Sequence, residues 1–108
     1  MLTHYQDCID ACYLCAAACD NCAASCLKEE NLDMMRDCIR LDMQCANLCR
    51  LSAQFMALNS ESAKKLCTVC AEICQQCGDE CGKHQHEHCQ QCAKACHTCA
   101  EACRKMAA

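Results

Sequence analysis

Cysteine recurs along this chain at alternating intervals of three and four residues. The string CYLCAAACDNCAASC occupies positions 12–26, CTVCAEICQQCGDEC positions 67–81 and CQQCAKACHTCAEAC positions 89–103, so one CxxCxxxCxxCxxxC pattern occurs three times. Such intervals match the turn of an α-helix, about 3.6 residues, so residues spaced this way fall on a single face. Each string therefore predicts a helix carrying its thiols in single file.

The rest of the sequence agrees with an all-α chain. It has 108 residues, enough for one domain (residues 1–108) with a modest core, no proline, and Gly78 and Gly82 as its two glycines. A formal net charge of -4 gives no electrostatic footprint for nucleic acid or an anionic membrane. No run approaches the ~20 apolar residues that span a bilayer, and MLTHYQDCIDACYLC lacks the basic and apolar regions of an export signal. Taken as it stands, the chain is expected in the cytoplasm, where thiols stay reduced. Nineteen cysteines is an odd number, which disfavours a closed disulfide framework. Helical neighbours at i and i+4 also hold Cβ atoms ~5–6 Å apart, farther than the ~3.5–4.5 Å of a disulfide. The thiols are read as free or metallated.

Four helices are expected. The first runs from about Thr3, where Thr3 and Gln6 have the spacing of a capping box, to about Leu27, and is broken by Lys28, Glu29, Glu30 and Asn31. The second runs from about Leu32 to Leu58. Asn59 and Ser60 supply a turn and an N-cap for the third, which ends near Cys81 with Gly82 as its C-terminal glycine. The fourth starts near Gln85 or His86 and is expected to fray at Lys105 to Ala108. Short connections between long helices force antiparallel neighbours, which gives an up-down-up-down four-helix bundle with a cysteine-lined core. The second helix keeps Cys38, Cys45 and Cys49 but carries Asp42, Ser52 and Met56 elsewhere in the frame. Beside that file runs a stripe of Leu41, Leu48, Leu51, Phe55 and Leu58, either packed on helices 1 and 3 or forming an oligomer interface.

Eight CxxxC pairs can be drawn without sharing a residue: Cys8 with Cys12, Cys15 with Cys19, Cys22 with Cys26, Cys45 with Cys49, Cys70 with Cys74, Cys77 with Cys81, Cys92 with Cys96, and Cys99 with Cys103. Cys38, Cys67 and Cys89 remain. A metal bonded to two sulfurs at ~2.3 Å holds them up to about 4.6 Å apart, within reach of such a pair. Soft thiolates select Cu(I), zinc or iron-sulfur clusters. Closed tetrathiolate zinc sites each carry two negative charges, costly to repeat in a narrow interior, whereas Cu(I) with bridging thiolates approaches one ion per sulfur and a neutral core. Low-coordinate copper also suits paired ligands on one helix, while tetrahedral zinc needs convergence from several segments. Multiple Cu(I) ions are thus the expected cargo, with a zinc or cadmium buffer as the alternative. A thiol redox enzyme would need one thiol of distinctive pKa, and the loop spacing of ferredoxin clusters is missing.

In such a bundle Met34, Met35, Cys38, His84, His86, His88 and Cys89 share one end. Thioether and imidazole are neutral, weaker ligands suited to passing Cu(I) inward, so this end is read as a mouth, with His84 and His86 favoured because they extend the files of Cys81 and Cys89. At the other end His4, Met56 and Met106 read as a hydrophobic plug. His97 lies one residue off the file and is expected to be exposed; Tyr5 and Tyr13 read as packing residues. Asp42 is either turned outward by rotation of its helix or buried as a hydrogen-bond acceptor or copper ligand.

The three strings, the weaker second helix and the histidine-rich turn GKHQHEH together resemble the bacterial copper storage proteins, four-helix bundles that hold many Cu(I) ions inside. The resemblance covers nearly the whole chain and is to the cytosolic members. It implies storage or detoxification of Cu(I) at roughly one ion per thiol, a homotetramer, no enzymatic activity, exchange of copper with small chelators or chaperones, and His84, His86 and His88 at the entrance. Asp42 departs from the frame and leaves the ligand set of the second helix open.

Overall fold

The computed structural model describes the backbone of residues 2–108 and the side chains of residues 5–108. Four helices follow one another: α1 (Leu2–Cys26), α2 (Leu32–Ala57), α3 (Ala63–Gly82) and α4 (Glu87–Ala107). Neighbouring backbones approach for α1 with α2, α2 with α3, α3 with α4, and α4 with α1, so the helices form a square whose diagonal pairs meet through side chains on the axis, as Cys19 meets Cys77 and Cys49 meets Cys99. This is the expected up-down-up-down bundle. It is a thin rod of 45 × 19 × 18 Å, because its axis is filled by cysteine and alanine instead of leucine and phenylalanine.

The three- and four-residue frame survives on every helix. In α2 the buried face contains Met35, Cys38, Asp42, Cys45, Cys49, Ser52 and Met56 in register, with Leu41, Ala46 and Ala53 beside it. Met35 and Met56 are the largest fully buried side chains and close the file at its two ends. The leucine stripe splits: Leu41 is buried and Leu48 and Phe55 partly so, while Leu51 and Leu58 are 41% and 69% exposed. Tyr5 packs against the core, but Tyr13 is half exposed instead of packed.

Asn59 supplies the turn expected of it, Ser60 and Gly82 act differently from expectation, and α4 stays helical to Ala107 where fraying from Lys105 was expected. Asn59 adopts a left-handed backbone, φ 56°. Its N–H bonds the Met56 carbonyl at 3.0 Å and the Ser60 N–H bonds the Phe55 carbonyl at 3.0 Å. That is a Schellman motif ending α2, which asparagine tolerates better than most residues. Ser60 does not cap α3 directly; its hydroxyl accepts from the Ser62 N–H at 3.1 Å, holding a turn that leads into the helix. Gly82 is the last residue of α3, and its φ is not positive. The carbonyls of Gly82 and His84 are instead satisfied by the Gln90 amide at 3.1 and 2.6 Å, so no left-handed cap is needed. The Thr3 half of the expected capping box lies outside the described side chains, as does His4; Gln6 donates to Asp10 at 2.7 Å.

Candidate metal centre

All nineteen thiols are buried and none is disulfide-bonded. They project from four helices onto one axis, where sulfur meets sulfur both along and across the helices. Along single helices the Sγ separations are 4.0 Å for Cys15 and Cys19, 3.8 Å for Cys22 and Cys26, 3.9 Å for Cys45 and Cys49, 3.8 Å for Cys70 and Cys74, 3.9 Å for Cys92 and Cys96, and 3.9 Å for Cys99 and Cys103. Each fits the two-coordinate clamp expected of a CxxxC pair. Across helices the contacts are as close: Cys15 to Cys45 at 3.8 Å, Cys19 to Cys96 at 3.6 Å, Cys49 to Cys74 at 3.6 Å, and Cys38 to Cys81 at 3.1 Å.

The cross-helix contacts group sulfurs in fours whose ligand atoms lie within 4.8 Å of one another. They include Cys12, Cys49, Cys70 and Cys99; Cys15, Cys49, Cys74 and Cys99; Cys15, Cys19, Cys45 and Cys96; Cys19, Cys77, Cys92 and Cys96; and Cys22, Cys26, Cys38 and Cys89. This corrects one step of the sequence reading. Convergence from several segments, the requirement of tetrahedral zinc, is present, so coordination number does not by itself select copper. Sharing does: Cys15, Cys19, Cys49, Cys96 and Cys99 each belong to two of these groups. Adjacent groups that share thiolates call for bridging, which closed mononuclear zinc sites do not use and monovalent ions at high load require.

Asp42 replaces a thiol at one level of the axis and is fully buried, so the outward rotation is excluded. Its Oδ1 accepts from the thiols of Cys77, Cys81 and Cys92 at 3.2, 3.3 and 3.3 Å, and its Oδ2 from Cys38 at 3.8 Å. Burial, reinforced by the neighbouring Cys92 and Cys38, pushes its carboxyl up to about 8. Among the thiols, burial pushes Cys26 up, and Cys89 up to about 11. Deeper in the file hydrogen bonding dominates: bonds from Cys15 and Cys19 hold Cys45 down, while those shared with Cys12 and Cys15 push Cys49 up. Protons here belong to the network more than to single residues.

The histidines gather at the end predicted, but the order of preference changes. His88 faces the sulfurs: its Nδ1 lies 3.5 Å from Cys22, 3.5 Å from Cys89 and 3.9 Å from Cys26. His86 stacks on His88, ring centroids 5.3 Å apart, and turns Nδ1 to Glu29 at 3.4 Å. The Nε2 of His84 lies 3.0 Å from Glu80. Extending the file of Cys89 by three residues places His86 beyond the helix start, where the chain is extended (ψ 139°), whereas His88 stands inside the first turn and points inward. Beside them opens a cavity of about 540 Å³ lined by Glu29, Met34, Met35, His84 and His86 among others. Met35 is buried there, and Met34 is 62% exposed.

The other end holds a contact that the sequence reading treated only as a plug. The Cys67 thiol donates to the Met56 thioether at 3.7 Å. Glu29 was also missed; nothing in a polar loop sequence marks it as the partner of a histidine 59 residues away. His97 is exposed, as expected, and bonds Asp79 at 3.0 Å.

A family model described as copper storage protein matches residues 1–108, the full length of the chain. The chain belongs to the copper storage protein family. It is 50% identical over 108 residues, the full length of both chains, to the uncharacterized cysteine-rich protein YhjQ of Bacillus subtilis. The structure is similar to Cu(I)-bound copper storage protein BsCsp3, with a TM-score of 0.92 and 51% identity over 95% of this chain and 97% of that one. It is also similar to a cytosolic copper storage protein from Streptomyces lividans solved with five coppers, with a TM-score of 0.92 and 38% identity over 95% and 91% of the two chains. No helix among the described residues is long and apolar enough to cross a membrane.

Proposed function

We propose that this copper storage protein takes Cu(I) in through its histidine end and holds it along the whole thiol axis, in the cytosol, at a load near one ion per cysteine. The observation that carries the reading is the overlap of the four-sulfur groups: Cys15, Cys19, Cys49, Cys96 and Cys99 each serve two. Shared thiolates let a monovalent ion stand for every proton lost. A thiol that gives up its proton and gains Cu(I) stays neutral with its ion, so filling the core brings no net charge into a dry interior. Divalent zinc in the same groups would accumulate negative charge level by level.

On this reading residues 1–108 form one storage domain. His88 is the ligand that first hands copper to Cys22, Cys26 and Cys89, with His84, His86 and Met35 lining the port; Asp42 is the oxygen donor at the level of Cys77, Cys81 and Cys92. Copper moves inward by exchanging one sulfur at a time. The chain is a store and not a catalyst: its thiols form one coupled network without a single activated nucleophile. Small chelators or copper chaperones are the partners that deliver and withdraw the ion, and exposed Leu51 and Leu58 are the contact faces of a homotetramer.

The deciding experiment is an anaerobic titration of the reduced protein with Cu(I), and separately with Zn(II), under competition from a chelator of known affinity. Uptake close to the number of thiols supports storage; a handful of zinc ions held more tightly than copper overturns the metal assignment.

A further inference from the structure

Three cysteines have no cysteine four residues away on either side: Cys38, Cys67 and Cys89. Each meets a donor of another kind. Cys38 bonds Asp42 at 3.8 Å, Cys89 lies 3.5 Å from the imidazole of His88, and Cys67 donates to the Met56 thioether at 3.7 Å. The first two sit at or near the histidine end; the third is alone at the opposite end. Where the CxxxC clamp is incomplete, a residue of another kind supplies the second donor, from the same helix for Cys38 and Cys89 and from the neighbouring helix for Cys67.

Resting on the storage reading above, we propose that Met56 and Cys67 form a mixed thioether–thiolate Cu(I) site that terminates the copper axis at the end away from the histidines, completed by sulfur from Cys8 or Cys103. Both side chains are buried, Met56 at 1% and Cys67 at 0% exposure, so the ion would be held in a dry pocket. A 3.7 Å span between two sulfurs suits one ion bonded to both in a bent arrangement, with bonds of ~2.3 Å, leaving a side open for a third sulfur. Cys8 and Cys103 stand 3.8 Å apart, and both perturb Cys67 through hydrogen bonding. Charge balances: the Cys67 thiol releases its proton to solvent, the thiolate neutralises Cu(I), and the thioether adds a neutral soft donor. No electron changes hands.

A second observation points to a ligand in this chamber. The Ser52 hydroxyl is fully buried and has no hydrogen-bond partner among the described residues. It lies one helical turn before Met56 on the same inward face. Thiolates formed on metal binding accept hydrogen bonds better than thiols, so loading would supply the acceptor that this hydroxyl lacks. A cleft of about 420 Å³ between α1 and α4, lined by Cys8, Asp7, Glu101 and Met106 among others, opens beside the chamber. A thioether cannot bridge as a thiolate does, so copper here would be held by fewer strong bonds than copper shared between thiolates.

Selenomethionine-labelled protein, loaded anaerobically to saturation with Cu(I), tests the site by selenium-edge X-ray absorption. Because Met35 lines the histidine port, the measurement is made in a Met35→Leu background, where the expected result is a copper backscatterer around selenium that disappears when Met56→Leu is added and persists when Met106→Leu is added. Leucine conserves volume, so the helical fold should persist, and circular dichroism checks it. A saturated Met35→Leu protein without selenium–copper scattering overturns this site while leaving storage intact, as does scattering that survives the addition of Met56→Leu. Failure of the wild type to take up several copper ions overturns the storage reading itself, and this site with it.

Discussion

His88 and Glu29 are joined across the bundle mouth, Nε2 to Oε2 at 2.9 Å. With Nε2–H donating to the carboxylate, Nδ1 carries the lone pair and faces Cys22, Cys26 and Cys89. The same contact, with help from His86, holds the Glu29 carboxyl below the usual carboxylate range. Glu29 acts as a positioning residue for the imidazole. His88→Ala should slow Cu(I) uptake while leaving the final load almost unchanged. Glu29→Gln should slow it less, by about tenfold, the scale expected when the outer partner of a ligand histidine is lost. Stopped-flow transfer from a coloured Cu(I) chelator measures both; wild-type rates in His88→Ala would place the entrance elsewhere.

Asp42 carries a pH dependence of known sign. Its folded carboxyl is raised to about 8, so between the unfolded value near ~3.9 and pH 8 the native state holds a proton that the unfolded state has lost. Stability of the copper-free protein is therefore highest below that window and falls as pH rises through it, by up to ~5 kcal/mol for a shift of this size. Asp42→Asn retains an oxygen to accept from Cys77, Cys81 and Cys92 and removes the titration. Denaturant melts of reduced apo-protein at pH 5 and pH 7.5 should diverge for the wild type and converge for the variant.

Gly78 and Gly82 should respond oppositely to alanine. A Cβ at position 78 would lie 2.5 Å from the His97 ring and 3.2 Å from Cys96 Cβ, whereas one at 82 meets only Ala93 at 3.8 Å. Gly78→Ala must push the imidazole off Asp79 and should cost about 1 kcal/mol. Gly82→Ala, at a helical position with room, should be neutral or gain up to ~1 kcal/mol. Thermal melts separate the two, since 1 kcal/mol moves the midpoint of a chain this size by roughly 4–8 °C.

The copper-free, reduced protein should already show the circular dichroism of a helical bundle. Its buried cysteines pack as small hydrophobes, alongside Ile9, Leu41 and several buried alanines. Copper should then raise the melting temperature by linkage, because it binds the folded state, and a strong Cu(I) chelator should return it. A coil spectrum before loading would refute a metal-independent fold.

Exposed Leu51 and Leu58 are expected to be covered in a homotetramer. Leu51→Glu combined with Leu58→Glu should yield smaller species in sedimentation velocity with unchanged Cu(I) capacity per chain, since the thiol axis lies inside each bundle. An unaltered sedimentation coefficient would move the interface to another face.

Much of this molecule was legible without coordinates because one periodicity did two jobs. Intervals of three and four specify a helix and, in the same stroke, the face on which every thiol must lie, so α1 to α4 and the nineteen inward sulfurs follow from local geometry alone. The antiparallel order follows from short connections. Relations between helices are another matter, since they depend on rotation and axial offset, which no local pattern encodes. Asp42 could not be placed inside or outside until α2 was seated against Cys77, Cys81 and Cys92. His86 continues a file in the one-dimensional frame, yet the chain leaves the helix there and His88 takes the inward position. The reach of Glu29 to His88, the meeting of Met56 with Cys67 and the sharing of Cys49 between two groups are long-range contacts. The three-dimensional packing of four rods created them, because a helix determines which way a side chain faces but not what it will find there.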